Sequence, residues 1–303
     1  MSTKRIPVIL DTDIGGDIDD TWALAMLLGC PELDLKMVVT EDGDTTYRAR
    51  IAAKYLELCG RTDVPVAVGV SKPQDAHFNQ QPWVDGYRLS DYPGVVHKDG
   101  VHAMIDLIMA SPEPVTIIAI GVVTNLARAL EIEPRIAQRC KFVGMHGSIY
   151  LGYGGSSEIS AEANVINDVS SFRKVISAPW LDTLITPLDT CGLVVLTGEH
   201  YQKIYQSDLP KLRAVIENYE IWAKLVKWAV IEHTDRESSC LFDTVAVYLA
   251  YAEDLVEIEE VSISTTDDGF TVADPAGTKV SVAMRWKDLN GFYDHLVERL
   301  LVV

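Results

Sequence analysis

The sequence predicts an α/β fold with a mainly parallel, Rossmann-like sheet flanked by helices on both faces. Short β-branched apolar runs alternate with segments of helical apolar spacing along most of the 303 residues, and this alternation is typical of parallel sheets. Carboxylates also cluster directly after the first apolar run, where such sheets bind ligands. Because no linker, repeat or low-complexity run divides the sequence, we expect one domain over residues 1–303.

The first third of the chain alternates regularly between predicted strands and helices. IPVIL (residues 6–10) predicts a buried strand, and DDTWALAMLLGC predicts a helix that Gly29 and Pro31 bring to an end. LDLKMVVT and VPVAVGV predict strands, with the helix TYRARIAAKYLELCG between them. Residues 71–97 have no clear period and are predicted to form a long loop, which is usually a functional or mobile feature.

The same alternation continues toward the C-terminus. VHAMIDLIMA and TNLARAL predict helices, and VTIIAI, KFVGM and TLIT predict strands. A Gly/Ser-rich loop begins at His146, and further helices are predicted near 168–178, over 208–232 and over 239–251. The tail predicts three strands, for which antiparallel pairing is one option, and a closing helix over 288–301.

Composition excludes several classes of function. The formal net charge is −18, from 26 basic and 44 acidic residues, and such a surface repels the phosphate backbone of nucleic acids. No apolar run approaches the roughly 20 residues that cross a bilayer, and the N-terminus lacks the pattern of a signal peptide. The five cysteines are scattered without a Cys-x-x-Cys pair, so we expect reduced thiols in a cytoplasmic protein.

Five carboxylates fall within the ten residues DTDIGGDIDD, namely Asp11, Asp13, Asp17, Asp19 and Asp20. A helix N-terminus that favours acids would account for one or two of them but not for all five. Mutual repulsion makes this crowding costly unless a cation or shared protons offset it. Oxygen ligands favour Ca²⁺ or Mg²⁺. The segment therefore predicts a site for a hard divalent cation.

DTDIGGDIDDTWAL resembles the N-terminal signature of the inosine-uridine nucleoside hydrolase family, in a longer variant with two extra residues before the paired aspartates. The resemblance implies that Asp13 is the general base and a metal ligand, and that Asp20 is a second metal ligand. It implies that Asp19 binds the ribose hydroxyls and that Asp11 supports the metal shell. Asp17 has no counterpart in the family's pattern.

Later motifs resemble the same family in its order. IIAIGVVTNLARAL and CLFDTVAV imply that the Ile120 backbone carbonyl and the Asp243 carboxylate complete the metal shell. SAEANVIND implies that Glu162 and Asn164 bind ribose, and GDTT places Asp44 at a substrate-binding position. Taken singly, TNLARAL or Asp243 fits an ordinary helix start. Their order along the chain is what makes the resemblance specific.

The resemblance implies a Ca²⁺-dependent enzyme that hydrolyses the N-glycosidic bond of a ribonucleoside, or of a modified ribonucleoside, to ribose and free base. It implies the nucleoside hydrolase fold with a few additional C-terminal strands, and a homodimer or homotetramer. The small-molecule ribonucleoside would be the main partner, with no nucleic acid or membrane. Asp13 would take a proton from the attacking water.

The chain departs from the family at Phe242, where many members carry a histidine that protonates the leaving base. Phenylalanine cannot donate a proton. The long loop and the predicted helix over 208–232 offer replacement groups, although aromatic residues at helical spacing usually belong to a core. The candidates are His77, Trp83, Tyr219, Trp222, Trp228 and His233. Among them we expect Trp83 and His233 to contact the substrate.

Three other functions remain open at this stage. LDTD superficially matches the Asp-x-Asp pattern of haloacid dehalogenase-type phosphatases, although Gly15 and Gly16 follow it and CLFDTVAV offers a single aspartate. A non-catalytic, calcium-dependent binder of ribose or nucleosides would explain Phe242. A hydrolase specific for a modified nucleoside would explain Phe242 as well. The nucleobase itself is not indicated by the sequence.

Overall fold

A computed structural model describes residues 4–229 and 231–302, and all ten of its strands belong to one mixed sheet. The strands are β1 Ile6–Thr12, β2 Leu33–Thr40, β3 Val66–Val68, β4 Val96–His97, β5 Val115–Ala119, β6 Cys140–Met145, β7 Asp182–Thr186, β8 Val256–Thr265, β9 Thr271–Ala273 and β10 Thr278–Trp286. The helices are α1 Asp19–Leu28, α2 Thr45–Leu58, α3 Gly100–Ala110, α4 Thr124–Ile132, α5 Ala163–Ile166, α6 Val169–Ile176, α7 Gly198–Tyr205, α8 Pro210–Leu225, α9 Phe242–Leu249 and α10 Leu289–Leu301.

Strand β1 lies at the point where the strand order reverses. The sheet runs β4-β3-β2-β1-β5-β6-β7-β10-β8-β9, and β1 pairs in parallel with both β2 and β5. Open α/β sheets bind ligands beyond the carboxyl ends of strands at such a reversal. The mainly parallel α/β fold predicted from the sequence is therefore confirmed, and its topology points to the loop after β1.

Apolar side chains cover both faces of the sheet. Successive residues of β1 alternate between the two faces, so that Val8 and Leu10 join one apolar layer whereas Ile9 joins the other. Trp22 of α1 lies in the first layer, and Phe172 of α6 lies in the second. The two layers hold β1, and hence the acidic segment that follows it, rigidly in the middle of the molecule.

The structure differs from the predicted elements in several places. The segment 71–97 contains three short 3-10 turns and β4. Helices α5 and α7 were not predicted. The helix predicted over 208–232 ends at Leu225, because Val226 adopts an extended backbone conformation (ψ 139°); residue 230 lies outside the described residues.

The C-terminal strands extend the main sheet. Strand β10 pairs in parallel with β7 and antiparallel with β8, which in turn pairs antiparallel with β9. The structure thus adopts the antiparallel option within the tail. Within the described ranges, every helix is too short or too polar to span a lipid bilayer.

Candidate active site

A glycine turn leads from β1 into α1 and sets the direction of the acidic segment. Gly15 has a φ of +103°, and a Cβ atom there would lie 2.6 Å from Ile51 Cδ1 of α2. The Tyr47 hydroxyl of the same helix donates to the Gly15 carbonyl at 3.1 Å. Only glycine tolerates this combination of backbone conformation and close packing.

Asp19, Asp20 and Asp243 form a compact buried group. Each offers a carboxylate oxygen, and these oxygens lie within 4.8 Å of one another. Asp19 and Asp20 open α1, and Asp243 lies in the first turn of α9, which packs against α1. The Thr12 hydroxyl donates to Asp20 Oδ1 at 2.5 Å. Residues more than 220 positions apart in sequence therefore meet at one point.

The electrostatics of this group favour a cation. Burial, together with repulsion from the neighbouring carboxylates, raises the pKa of Asp19, Asp20 and Asp243 well above the ordinary range. A divalent ion would offset that repulsion, and oxygen donors are the ligands that Ca²⁺ and Mg²⁺ prefer. The residues present therefore fit a hard divalent cation.

Asp13 lies on the same cavity, and its charge contributes to the raised pKa of all three carboxylates. Its side chain is 22% exposed, and its Oδ2 lies 3.7 Å from Nη2 of Arg48. The sequence predicts Asp13 as a metal ligand and Asp19 as a ribose contact, whereas the structure groups Asp19 with Asp20 and Asp243. Both residues reach the cavity, and their individual roles stay predictions.

Ile120, Glu162 and Asn164 also line the cavity. The Asn164 side-chain amide donates to the carbonyls of Ile120 (3.3 Å) and Met145 (3.1 Å). Glu162 accepts from the backbone N–H groups of Gly147 (2.9 Å) and Asn164 (2.7 Å). Burial raises the pKa of Glu162 to about 7. The predicted ribose-binding residues are thus held by bonds at the ends of β5 and β6.

A buried polar network supports the turn that carries the Ile120 carbonyl. Glu41 accepts from the backbone N–H of Val123 (2.9 Å) and of Asn125 (3.3 Å), and the Asn125 side chain donates to Asp11 at 2.7 Å. On the other side, the His146 ring Nε2 donates to the Gly121 carbonyl at 2.9 Å. Burial raises the pKa of Asp11 to about 7 and lowers that of His146 to about 4.

The cavity has a volume of about 770 Å³ and changes character along its length. Its carboxylates Asp19, Asp20, Glu162 and Asp243 are buried, whereas the aromatic lining residues His77, Tyr153 and Trp228 are exposed and lie at its mouth. His77 and Trp228 pack edge to face with ring centroids 5.5 Å apart, and Tyr153 and Phe242 do so at 5.9 Å. An acidic floor and an aromatic mouth suit a ligand with a polyhydroxyl part and a flat part.

Three other residues that we expected at the substrate make contacts of their own, and their roles toward the substrate stay predictions. Asp44 caps helix α2, where its carboxylate accepts from the Tyr47 N–H at 2.9 Å. Trp83 is buried against Tyr55, with the Lys54 ammonium 4.5 Å from its ring centroid. His233 is half exposed beside Glu232. None of the three is among the described residues that line the cavity.

The cavity also contains residues that the sequence did not single out, above all Asp42 and Arg48. Arg48 shares the i, i+3, i+4, i+7 spacing of a buried helix face with Ile51, Ala52 and Tyr55. That spacing could have identified Arg48 from the sequence, because a charged residue on the core-facing side of a helix needs a partner. His77 and Trp228, which were among the candidates, do line the cavity.

Fold and site together define an α/β enzyme with an acidic, oxygen-lined centre at the reversal point of its sheet. The chain belongs to the inosine-uridine preferring nucleoside hydrolase family, which its sequence matches over residues 8–294. The family predicted from the motifs is therefore confirmed, and the protein is a ribonucleoside hydrolase.

Individual relatives support the assignment. An inosine-uridine preferring nucleoside hydrolase of Crithidia fasciculata is 29% identical over 232 residues, covering 72% of this chain and 71% of the relative. A pyrimidine-specific ribonucleoside hydrolase of Photobacterium profundum is 30% identical over 327 residues, covering 97% of this chain and 98% of the relative. The solved structure of a plant nucleoside hydrolase shares the fold, with a TM-score of 0.82 at 23% identity over 99% of this chain and 100% of the plant chain.

Proposed function

We propose that this ribonucleoside hydrolase depends on calcium bound by Asp13, Asp20 and Asp243, joined by Asp19, with Asp13 also acting as its general base. The observation that carries the proposal is the group of three buried carboxylates within 4.8 Å, on the same cavity as Asp13. Ile120, whose carbonyl is the further oxygen ligand in this proposal, also lines that cavity. When bound, calcium would bind the two hydroxyl groups of the ribose diol and would lower the pKa of a water molecule.

The surrounding residues have separate roles in the hydrolysis. Asp13 takes a proton from the attacking water, which its partial exposure allows it to reach. As the bond to the base lengthens, positive charge develops on the ribose ring, and the carboxylates of the cavity stabilise it electrostatically. Glu162 and Asn164, fixed by backbone contacts, bind the sugar hydroxyls.

The leaving base occupies the aromatic mouth of the cavity in this proposal. Phe242 cannot protonate it, but the neighbouring Tyr153 hydroxyl accepts from the Ala163 N–H at 3.0 Å and keeps its own proton for another acceptor. Burial raises the pKa of Tyr153, so it donates a hydrogen bond rather than a proton. The imidazole of His77, which also lines the mouth, is a side chain there that can donate a proton to the base. We further propose a cytoplasmic location, since the five cysteines are free thiols.

A reducing-sugar assay over purine, pyrimidine and modified ribosides tests this function. With added calcium, the wild-type protein should release ribose from at least one class of riboside, and exhaustive chelation should stop the release. Asp13→Asn should lower kcat by about 10²- to 10⁴-fold, because it removes the general base. Undiminished kcat in Asp13→Asn, or full activity in a verified metal-free sample, would contradict the proposal. Tight riboside binding without any turnover would favour the non-catalytic binder instead.

A further inference from the structure

Helix α2 inserts one charged side chain, that of Arg48, between the two turns that carry Asp13 and Asp42. The Arg48 side chain is 2% exposed. Its Nε donates to the Asp42 carbonyl at 2.8 Å, and its Nη1 donates to the Ile14 carbonyl at 3.2 Å. One guanidinium group therefore joins the β1–α1 turn to the β2–α2 turn.

The same group also faces two acids of the cavity. Arg48 Nη2 lies 3.7 Å from Asp13 Oδ2 and 3.6 Å from Asp42 Oδ2. Among the described residues that line the cavity, Arg48 carries the single permanent positive charge. A buried cation is costly unless its partners satisfy it. Here two carbonyls and two carboxylates surround it.

Both turns are shaped to admit the guanidinium. A Cβ atom at Gly16 would lie 3.2 Å from Arg48 Nη1, and one at Gly43 would lie 3.3 Å from Nη2. Asp42 and Gly43 both have left-handed backbones, with φ values of +58° and +55°. The planar fork of arginine can bond several acceptors in fixed directions, which the single ammonium of lysine cannot do. The site is thus fitted to the shape of arginine as well as to its charge.

We propose that Arg48 is a positioning residue whose fork holds Asp13 at a fixed place beside the Asp19, Asp20 and Asp243 group. The inference rests on the proposed function, in which Asp13 acts as the base next to the bound ion. In this proposal Arg48 binds neither the substrate nor the ion. It acts through the two turns, and its shape matters more than its charge.

Arg48→Lys tests this role, because it keeps the charge and removes the fork. Calcium alone is titrated into the metal-free variant by calorimetry, and kcat and KM are measured separately. We expect calcium affinity to fall by about 10-fold or more, as for residues that orient metal ligands. We also expect kcat to fall by about 100-fold with a smaller change in KM, because small misplacements of a base have that effect.

Arg50→Met is the matched control. Arg50 lies on the same helix and donates through Nε to the Tyr87 carbonyl at 2.9 Å, but it is not among the described residues that line the cavity. It should lower the melting temperature while keeping wild-type calcium affinity and kcat. In Arg48→Ala, added guanidinium should restore part of the lost kcat, an effect that a general loss of stability would not produce.

The outcomes separate this inference from the proposed function. Arg48→Lys with wild-type calcium affinity and kcat would overturn the positioning role, as would equal effects of Arg48→Lys and Arg50→Met. The calcium titration needs no substrate, so it tests Arg48 even if the wild-type protein released no ribose. If Arg48→Ala fails to fold, the comparison of Arg48→Lys with Arg50→Met still tests the positioning role of Arg48.

Discussion

The aspartates of DTDIGGDIDD are chemically identical, yet the fold gives them different surroundings. Asp11 is fully buried beneath the cavity and bonded to Asn125, whereas Asp13 reaches the cavity itself. Asp17 lines the cavity and accepts from the Ile18 N–H at 2.7 Å. A haloacid dehalogenase-type phosphatase would need Asp11 as an accessible nucleophile. Its burial therefore counts against that alternative.

Asp44 offers a test at the scale of one residue. Because its carboxylate caps helix α2, Asp44→Ala should lower the free energy of unfolding by about 1 kcal/mol. KM for the riboside should stay unchanged, since Asp44 is placed outside the cavity. Urea unfolding and steady-state kinetics measure the two quantities. A large rise in KM with unchanged stability would instead support the substrate role that the sequence suggested.

The positions of site residues could be predicted where a sequence motif identifies them, but not where they depend on the geometry of a loop. Asp20 and Asp243 were identified from sequence motifs, and the structure brings them together. Trp83 and His233 are not among the described residues that line the cavity, and the direction of a loop side chain depends on turns that no local pattern specifies. Arg48 was missed although its spacing on α2 marked it as buried, because its bond to the Ile14 carbonyl joins residues 34 positions apart in the sequence.

At the scale of elements, the turn between β5 and α4 is strained. Val123 has a φ of +58°, which is unfavourable for a β-branched residue. Glu41 holds this conformation by accepting from the Val123 N–H. Strained backbone persists where the surrounding structure enforces it, often beside active sites. Here it turns the chain directly after the Ile120 carbonyl.

Val123→Gly and Val122→Gly form a matched pair that measures this strain. Both valines are fully buried, so each substitution loses a similar apolar side chain. Only Val123→Gly also relieves a left-handed conformation, which costs roughly 1–2 kcal/mol per residue. We therefore expect Val123→Gly to be less destabilising than Val122→Gly by about that amount in urea unfolding. Equal losses would show that the turn is not strained.

Most elements followed from the alternation of apolar patterns, but their limits depended on tertiary contacts. The long loop was predicted from the sequence, but its contacts were not. Its Asn79 and Gln80 side chains donate to the Gly16 and Asp17 carbonyls at 2.9 and 3.0 Å, respectively. These bonds link the loop to the glycine turn. A pattern of local periodicity carries no information about such a link.

At the scale of the whole molecule, the fold class was predictable and the strand order was not. Strand β10 lies between β7 and β8, an arrangement that depends on pairing between strands far apart in sequence. The reversal of order at β1 places the ends of β1, β2, β5 and β6 beside one another. That is why residues from Asp13 to Asp243 can line one cavity.

The burial of so many acidic residues makes the stability of the metal-free protein depend on pH. Burial raises the pKa of Asp11 and Glu162 to about 7 and that of Asp17 to about 6. The folded state then binds more protons than the unfolded state, so its stability falls as pH rises from the ordinary carboxyl range through about 7. The pKa of Asp19, Asp20 and Asp243 is raised as well, and calcium bound there should take the place of their protons and reduce that slope.

The most direct test of the account is the melting temperature of the metal-free protein, measured with and without calcium at about pH 5 and about pH 8. Without calcium, the melting temperature should be lower at the higher pH. At the higher pH, calcium at 100 times its dissociation constant should add about 2.7 kcal/mol to the free energy of unfolding and so raise the melting temperature. Asp243→Asn should abolish this response. A melting temperature that calcium leaves unchanged at the higher pH, or an equal response in Asp243→Asn, would contradict the claim that these carboxylates gather around one divalent ion.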